Sequence, residues 1–160
     1  MQAKRVKDSR VTISHVVLPT DANPRGYVHG GVIMKLVDEV GGIAAARHAR
    51  CPVVTVAIDS VTFLSPVYVG NLLTFTATLT YVGRTSMEVH VRVEAEDVLT
   101  GEKTHTNSAY AVYVALDKDG RPCEVPRLIA EMEEEKRRMA EGRARQEHRL
   151  RRKARENGAE

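Results

Sequence analysis

His29-Gly30-Gly31-Val32-Ile33-Met34-Lys35-Leu36-Val37-Asp38-Glu39-Val40-Gly41-Gly42-Ile43-Ala44-Ala45-Ala46-Arg47-His48 decides the fold. Its alanine run favours helix. Ile33, Leu36, Val37, Val40 and Ile43 make that helix apolar over most of its circumference, so it is expected to be largely buried. Gly41 and Gly42 each cost a helix about 1 kcal/mol relative to alanine. Close backbone packing is the expected reason for their presence.

Outside this segment the hydrophobic period is two. Val11–Leu18 reads as a short strand, and Pro19–Gly26 as a loop rich in turn formers. Val53–Leu64 is rich in Val, Thr, Ile and Phe. In Leu72–Val82, Phe75, Ala77, Leu79 and Tyr81 alternate with Thr74, Thr76, Thr78 and Thr80. In Ser86–Val98, Met87, Val89, Val91 and Val93 alternate with Glu88, His90, Arg92 and Glu94. Lys103–Leu116 is a further apolar-rich segment, and the turns Val69-Gly70-Asn71, Val82-Gly83-Arg84 and Thr100-Gly101-Glu102 separate the four. They read as successive antiparallel strands with one buried and one wetter face. One strand, a long buried helix and four long strands predict an α+β domain, with an antiparallel sheet curled around the helix.

At 160 residues one compact domain is the natural count. Apolar residues make up 42% but aromatics only 4%, so the core has to be built from Val, Leu, Ile, Ala and Met. Residues 1–126 hold 13 basic and 13 acidic side chains, and residues 127–160 hold 11 and 8. The whole net charge of +3 therefore lies in the tail, so the high pI does not support a nucleic-acid surface on the folded body. Val125 to about Asn157 reads as one charged helix with few apolar residues beyond Leu128, Ile129, Met132, Met139 and Leu150. It is either solvated or a packing arm against another subunit. The division is thus a core of 1–126 and a helical extension of 127–160. Cys51 and Cys123 stand far apart without metal-ligand spacing and read as two free thiols of a reducing compartment. No signal peptide and no apolar run near 18 residues is visible, which points to a cytoplasmic protein without membrane insertion.

Asp21-Ala22-Asn23-Pro24-Arg25-Gly26 begins as a turn and runs through Gly30-Gly31 into the helix that carries Asp38 about two turns inside. A helix N-terminus has unpaired N–H groups that can hold an oxyanion, and a carboxylate can act as base or nucleophile. Each residue also has an ordinary reading. Asp38 can be a solvated flank residue, Gly30 and Gly31 helix-start sterics, Asn23 a turn residue and His29 a cap or packing residue. Gly83-Arg84-Thr85-Ser86 is a hairpin turn, or a turn whose arginine, hydroxyls and N–H groups hold a phosphate. No Gly-x-Ser-x-Gly elbow, phosphate-binding loop or dinucleotide fingerprint occurs, and His15, His48, His90, His105 and His148 lack ligand spacing.

Taken in order, Asp21-x-Asn23-x-x-Gly26-x-x-x-Gly30-Gly31-x-x-Met34-x-x-x-Asp38, Val54-Thr55-Val56, Thr62-Phe63-Leu64-x-Pro66-Val67-x-Val69-Gly70, Gly83-Arg84-Thr85-Ser86-Met87-x-Val89 and Val114-Ala115-Leu116-Asp117 resemble the hotdog-fold acyl-CoA thioesterases. The resemblance covers roughly residues 11–126. It is to the branch that holds the bacterial YciA enzymes and the cytosolic brain-type acyl-CoA hydrolase. It implies a hotdog fold, a long central helix wrapped by a five-stranded antiparallel sheet. It also implies hydrolysis of acyl-CoA to a carboxylate and CoA, with no metal or other cofactor. Asn23 and Asp38 are the implied catalytic residues, with Gly30 and Gly31 at the oxyanion. Arg84, Thr85, Ser86, Phe63 and Thr55 are the implied substrate- and CoA-binding residues. Two chains would pair with Asn23 of one facing Asp38 of the other, and such dimers commonly assemble as trimers of dimers. Ser65 is a departure, because many relatives carry a basic residue just before that proline. An acyl-CoA sensor without turnover, or a dehydratase using His29 as its base, are the rival readings on the same fold.

Overall fold

The computed structural model describes residues 1–158. Its main sheet has the strands β2 (Val11–Val16), β3 (Val53–Phe63), β4 (Leu72–Val82), β5 (Ser86–Glu96) and β6 (Lys103–Ala115). They lie in the order β2-β4-β5-β6-β3, every neighbour antiparallel. The expected strands are therefore present, most of them ending one or two residues early. The helix α2 (Gly30–Ala49) lies against the concave face. Two short pieces escaped the sequence reading: the strand β1 (Lys4–Arg5) and the helical turn α1 (Val6–Ser9). They are too short to show a period.

The core between α2 and the sheet is aliphatic, as the composition required. Ile33, Val37, Val40 and Ala44 of the helix are buried with Leu73, Phe75, Leu79, Val89, Val91 and Ala111. The expectation of close packing holds at Gly41, where a Cβ would run into the Tyr113 phenol. At Gly42 an added Cβ would meet that ring only at an ordinary 3.7 Å. Burial of α2 is one-sided: Met34 is 41% and Ile43 46% exposed. Beside them β3, one of the two edge strands, exposes Val54, Val56 and Phe63. The expectation of a largely buried helix is thus met on one face only within a single chain.

The tail differs more. Leu128–Ile129 is not helix but strand β7, paired in parallel with β1, and the helix α3 spans Glu133–Gly158. α3 is neither solvated all round nor pointed away: it packs along the convex face over β4. It covers part of the face that the alternation marks as wet, so Thr78, Thr80 and Glu88 are buried there. Gly142 is the contact point, since a Cβ on it would meet Glu88 Oε1 and Tyr81 Cβ at 2.8 Å. Glu88 is 1% exposed. Its carboxylate accepts Thr80 Oγ1 at 2.6 Å, Arg145 Nη2 at 2.9 Å and Arg145 Nε at 3.1 Å, and it pairs with Arg149. Arg149 also pairs with Asp59 of β3. The two arginines are four residues apart and so lie on one helix face. Arg145 stacks 3.9 Å above the Tyr110 ring. Burial, then the charges of Arg138 and Arg145, push the nearby His90 imidazole down to about 4, so it stays neutral at physiological pH. No helix among the described residues is long and apolar enough to cross a membrane.

Removing one partner of a buried ion pair typically costs about 3–5 kcal/mol. Glu88→Ala is expected near the lower end of that range, because Arg145 retains some access to solvent. Denaturant unfolding gives the loss, and hydrogen exchange is expected to show α3 losing protection before the sheet does.

Candidate active site

The segment before α2 is shaped by two side chains that accept backbone N–H groups. Asp21 accepts Leu18 N–H at 2.8 Å and contacts His15 Nε2 at 2.8 Å. The Leu18 N–H first, and His15 second, hold its carboxyl below the usual carboxylate range. Asn23 folds its own turn: its Oδ1 accepts from Arg25 N–H at 2.9 Å and Tyr27 N–H at 3.3 Å. Among the described residues its Nδ2 makes no hydrogen bond, so the donor end of the amide is left for another partner. Tyr27 packs edge-on against Tyr68, ring centroids 5.2 Å apart, and fastens the turn to the chain before β4.

His29 is the N-cap of α2, accepting Gly31 N–H through Nδ1 at 3.0 Å. In this position the ring acts as a cap and its Nδ1 lone pair is engaged by the helix backbone. It also engages one of the two glycine N–H groups read as oxyanion donors. Among the described residues the Gly30 N–H has no acceptor. Gly30 has a second reason to lack a side chain, since a Cβ there would sit 3.3 Å from the Phe63 ring. Tyr27, Gly30, Ile33, Phe63 and Leu64 line an open groove of about 410 Å³ at this helix end.

Asp38 lies eight residues further on, about 12 Å along the helix axis at 1.5 Å per residue. Its Oδ1 accepts Thr55 Oγ1 at 2.7 Å and Tyr113 O–H at 3.3 Å. The same hydroxyl donates to the Asp38 main-chain oxygen at 3.0 Å. Burial, then the Asp38 charge, push the Tyr113 phenol well up, so it stays a donor. Two hydroxyls thus fix one carboxylate oxygen, and among the described residues Oδ2 has no partner. Tyr113 was not singled out in the sequence, where it is one aromatic among alternating strand residues. Its partnership with Asp38 crosses 75 positions and leaves no local signal.

The candidate residues of one chain thus fall into two separate groups. Asn23, Gly30 and Phe63 stand at the helix start, and Asp38 and Thr55 two turns away, with no hydrogen bond between Asn23 and Asp38. Thr55 and Phe63 are at opposite ends of β3. The Arg84 turn is on the Thr55 side: Thr55 pairs with Tyr113, Tyr113 with Met87, and Ser86 with Val114. The Arg84 side chain is exposed, with Glu124 4.0 Å away. It borders an open cleft of about 750 Å³ that Arg127 and Arg143 also line. The Ser86 hydroxyl lies close enough to Gly83 that a Cβ there would sit 2.9 Å from Oγ.

A family model of the thioesterase superfamily matches residues 25–102. The cytosolic acyl coenzyme A thioester hydrolase of Rattus norvegicus is 39% identical over 142 residues, 88% of this chain. This chain spans only 37% of that relative's length. A solved apo-hexameric acyl-CoA thioesterase is 42% identical with a TM-score of 0.91, and the match covers 96% of this chain and 99% of that one. The acyl-CoA hydrolase of Staphylococcus aureus, solved in complex with butyryl coenzyme A, coenzyme A and coenzyme A disulfide, is 33% identical with a TM-score of 0.90, over 98% of this chain and 96% of that one. Solved variants of the Staphylococcus aureus protein replace a single aspartate, asparagine or threonine by alanine. With the hotdog sheet and helix in place and a relative of this likeness matched over nearly its whole length, the chain belongs to the acyl-CoA thioester hydrolases of the thioesterase superfamily.

Proposed function

We propose that this protein hydrolyses acyl-CoA, with water as co-substrate, to a free carboxylate and the CoA thiol. The observation that carries the reading is the Asp38 carboxylate, with Oδ1 fixed by Thr55 and Tyr113 and Oδ2 left open. That oxygen is the one to take a proton from water or to attack the thioester carbon directly. The Gly30 N–H at the start of α2 holds the developing oxyanion. The Gly31 N–H joins it if the His29 ring turns off its cap. One good donor of this kind is worth about 2.7–4 kcal/mol in the barrier. Asn23 orients the carbonyl or the water with its Nδ2. An aspartate, an asparagine and a threonine are also the residue types replaced in the Staphylococcus aureus variants.

The site is composite in this reading. The separation of about 12 Å between Gly30 and Asp38 along one helix leaves no single chain with both halves in reach. A twofold pair of chains joined along the open β3 edge brings Asn23 of one to Asp38 of its partner. The apolar residues exposed around that edge support the pairing. Assembly continues to a trimer of dimers, in keeping with the hexameric relative. Arg84, Thr85 and Ser86 hold a CoA phosphate, and Phe63 and Thr55 flank the acyl thioester. The protein acts in the cytoplasm without a metal or further cofactor. All the catalytic groups lie within residues 1–126, and the helix that follows covers part of the sheet.

Asp38→Asn is expected to lower kcat by about 10²–10⁴-fold while CoA binding persists, because the amide neither accepts the proton nor attacks. Free-thiol release from a panel of acyl-CoA thioesters reads kcat, and near wild-type turnover would refute the assignment. Asn23→Ala and Asp38→Ala are each expected to be nearly inactive, but to regain activity when unfolded and refolded together. Confirmed mixed dimers with no recovered activity would place both residues in one chain's site. Arg84→Ala is expected to raise KM for acyl-CoA roughly ten- to a hundredfold, the value of one charged hydrogen bond of about 1.5–3 kcal/mol. The KM for an acyl-pantetheine thioester, which lacks the nucleotide, should barely move. Equal effects on both substrates would remove Arg84 from phosphate contact.

A further inference from the structure

Cys51 and Cys123 are 72 positions apart in the chain, yet their sulfurs lie 3.6 Å from each other. They are the only cysteines of the sequence. We propose that they are the site of a reversible intramolecular disulfide, which clamps the segment leading into the C-terminal helix onto the end of α2. Both thiols are free and half-buried. Neither sits on a loose loop. Cys51 follows the Arg50 cap of α2, and its neighbour Pro52 accepts Leu116 N–H at 2.9 Å. The Cys123 N–H donates to Ala115 O at 2.9 Å. The end of β6 thus fixes both backbones, and closing to the ~2.05 Å of a sulfur–sulfur bond asks for about 1.5 Å of side-chain movement. Two thiolates alone do not make a metal site, and among the described residues no cluster of three or more His, Cys, Asp or Glu forms one.

The co-reactant is a low-molecular-weight disulfide. One thiolate attacks it and expels one small thiol, leaving a mixed disulfide on the protein. The second cysteine's thiolate then attacks that mixed disulfide and expels the second small thiol. Two protein thiols are oxidised, one small disulfide is reduced to two thiols, and nothing else is consumed. Burial, then the neighbouring Cys123, raise the Cys51 thiol above its ordinary value, so the reaction is expected to quicken as the pH rises above neutral.

The clamp falls at a structural junction. Beyond Cys123, Glu124 faces Arg84, Val125 N–H donates to Arg84 O at 3.0 Å, and Pro126 O is 2.7 Å from the buried His48 Nε2. The chain then enters β7 and α3. Oxidation therefore fastens the support of the Arg84 turn and the start of the helix that covers the sheet.

The test treats the full-length protein with glutathione disulfide and follows intact mass and titratable thiols. The expected product has lost both thiols together and about 2 Da, with one cross-linked peptide pair holding Cys51 and Cys123. Dithiothreitol should restore it. Hydrogen exchange across residues 124–129 should slow, and Tm should rise on the order of 10 °C, since a long loop is closed in the unfolded chain. Cys51→Ser and Cys123→Ser should each stop at the mixed disulfide. A wild-type product that stops at a stable glutathione adduct, forms bonds only between chains, or keeps both thiols in excess oxidant would overturn the proposal.

Discussion

The contact between Tyr113 and the backbone of α2 is the constraint on which the rest of the structure depends. The missing side chain of Gly41 lets the phenol come against the helix. From there a single hydroxyl reaches both the main-chain oxygen and the carboxylate of Asp38. Helix and sheet are thereby locked in register at the point where the carboxylate emerges. A larger residue at 41 would push the ring away and release the carboxylate together with the helix. The ~1 kcal/mol that glycine costs a helix is small beside what this contact organises. Packing and carboxylate placement rest on the same few atoms.

The convex face works by a different balance. A sheet of alternating Thr and charged residues would normally leave that face to water. Here α3 covers part of it, and the glutamate it buries is matched by two arginines rather than removed. A buried ion pair of this kind adds little net stability, because desolvation offsets the attraction. It does fix position: Arg145 and Arg149 of the helix meet Glu88 and Asp59 of the sheet, with Gly142 setting the approach distance. The outcome is a helix located by charge geometry more than by apolar area.

The fold was legible where periodicity is long. Strands of eleven or more residues such as Leu72–Val82 and a twenty-residue helix carry enough repeats to be read without their neighbours. In the tail the charged helix was legible but its packing was not, because α3 has almost no apolar stripe, and nothing local says that Arg145 and Arg149 have a buried partner 57 and 61 positions away. The candidate site was legible in part. Asn23, Gly30 and Asp38 stand out through the family resemblance of one segment, while by themselves each has an ordinary reading. Tyr113 and the meeting of Cys51 with Cys123 depend on how separate strands and loops come together, which spacing does not record. His29 shows the converse: next to a helix start, a side chain of catalytic type serves the backbone instead.

A further constraint links shape to chemistry. β3 is an edge strand of eleven residues with apolar side chains around it, and an open edge of that length invites pairing. Thr55 lies near one end of this strand and Phe63 at the other, with Asp59 midway. Antiparallel pairing of two copies about that midpoint sets Thr55 of one chain across from Phe63 of the next. Covering the edge and completing the proposed site are then the same act. Under that reading an isolated chain holds a carboxylate without its oxyanion donor, and a groove without its base. Thioester hydrolysis becomes a property of the pair, and any change that weakens the edge contact removes activity even when every proposed catalytic side chain is intact.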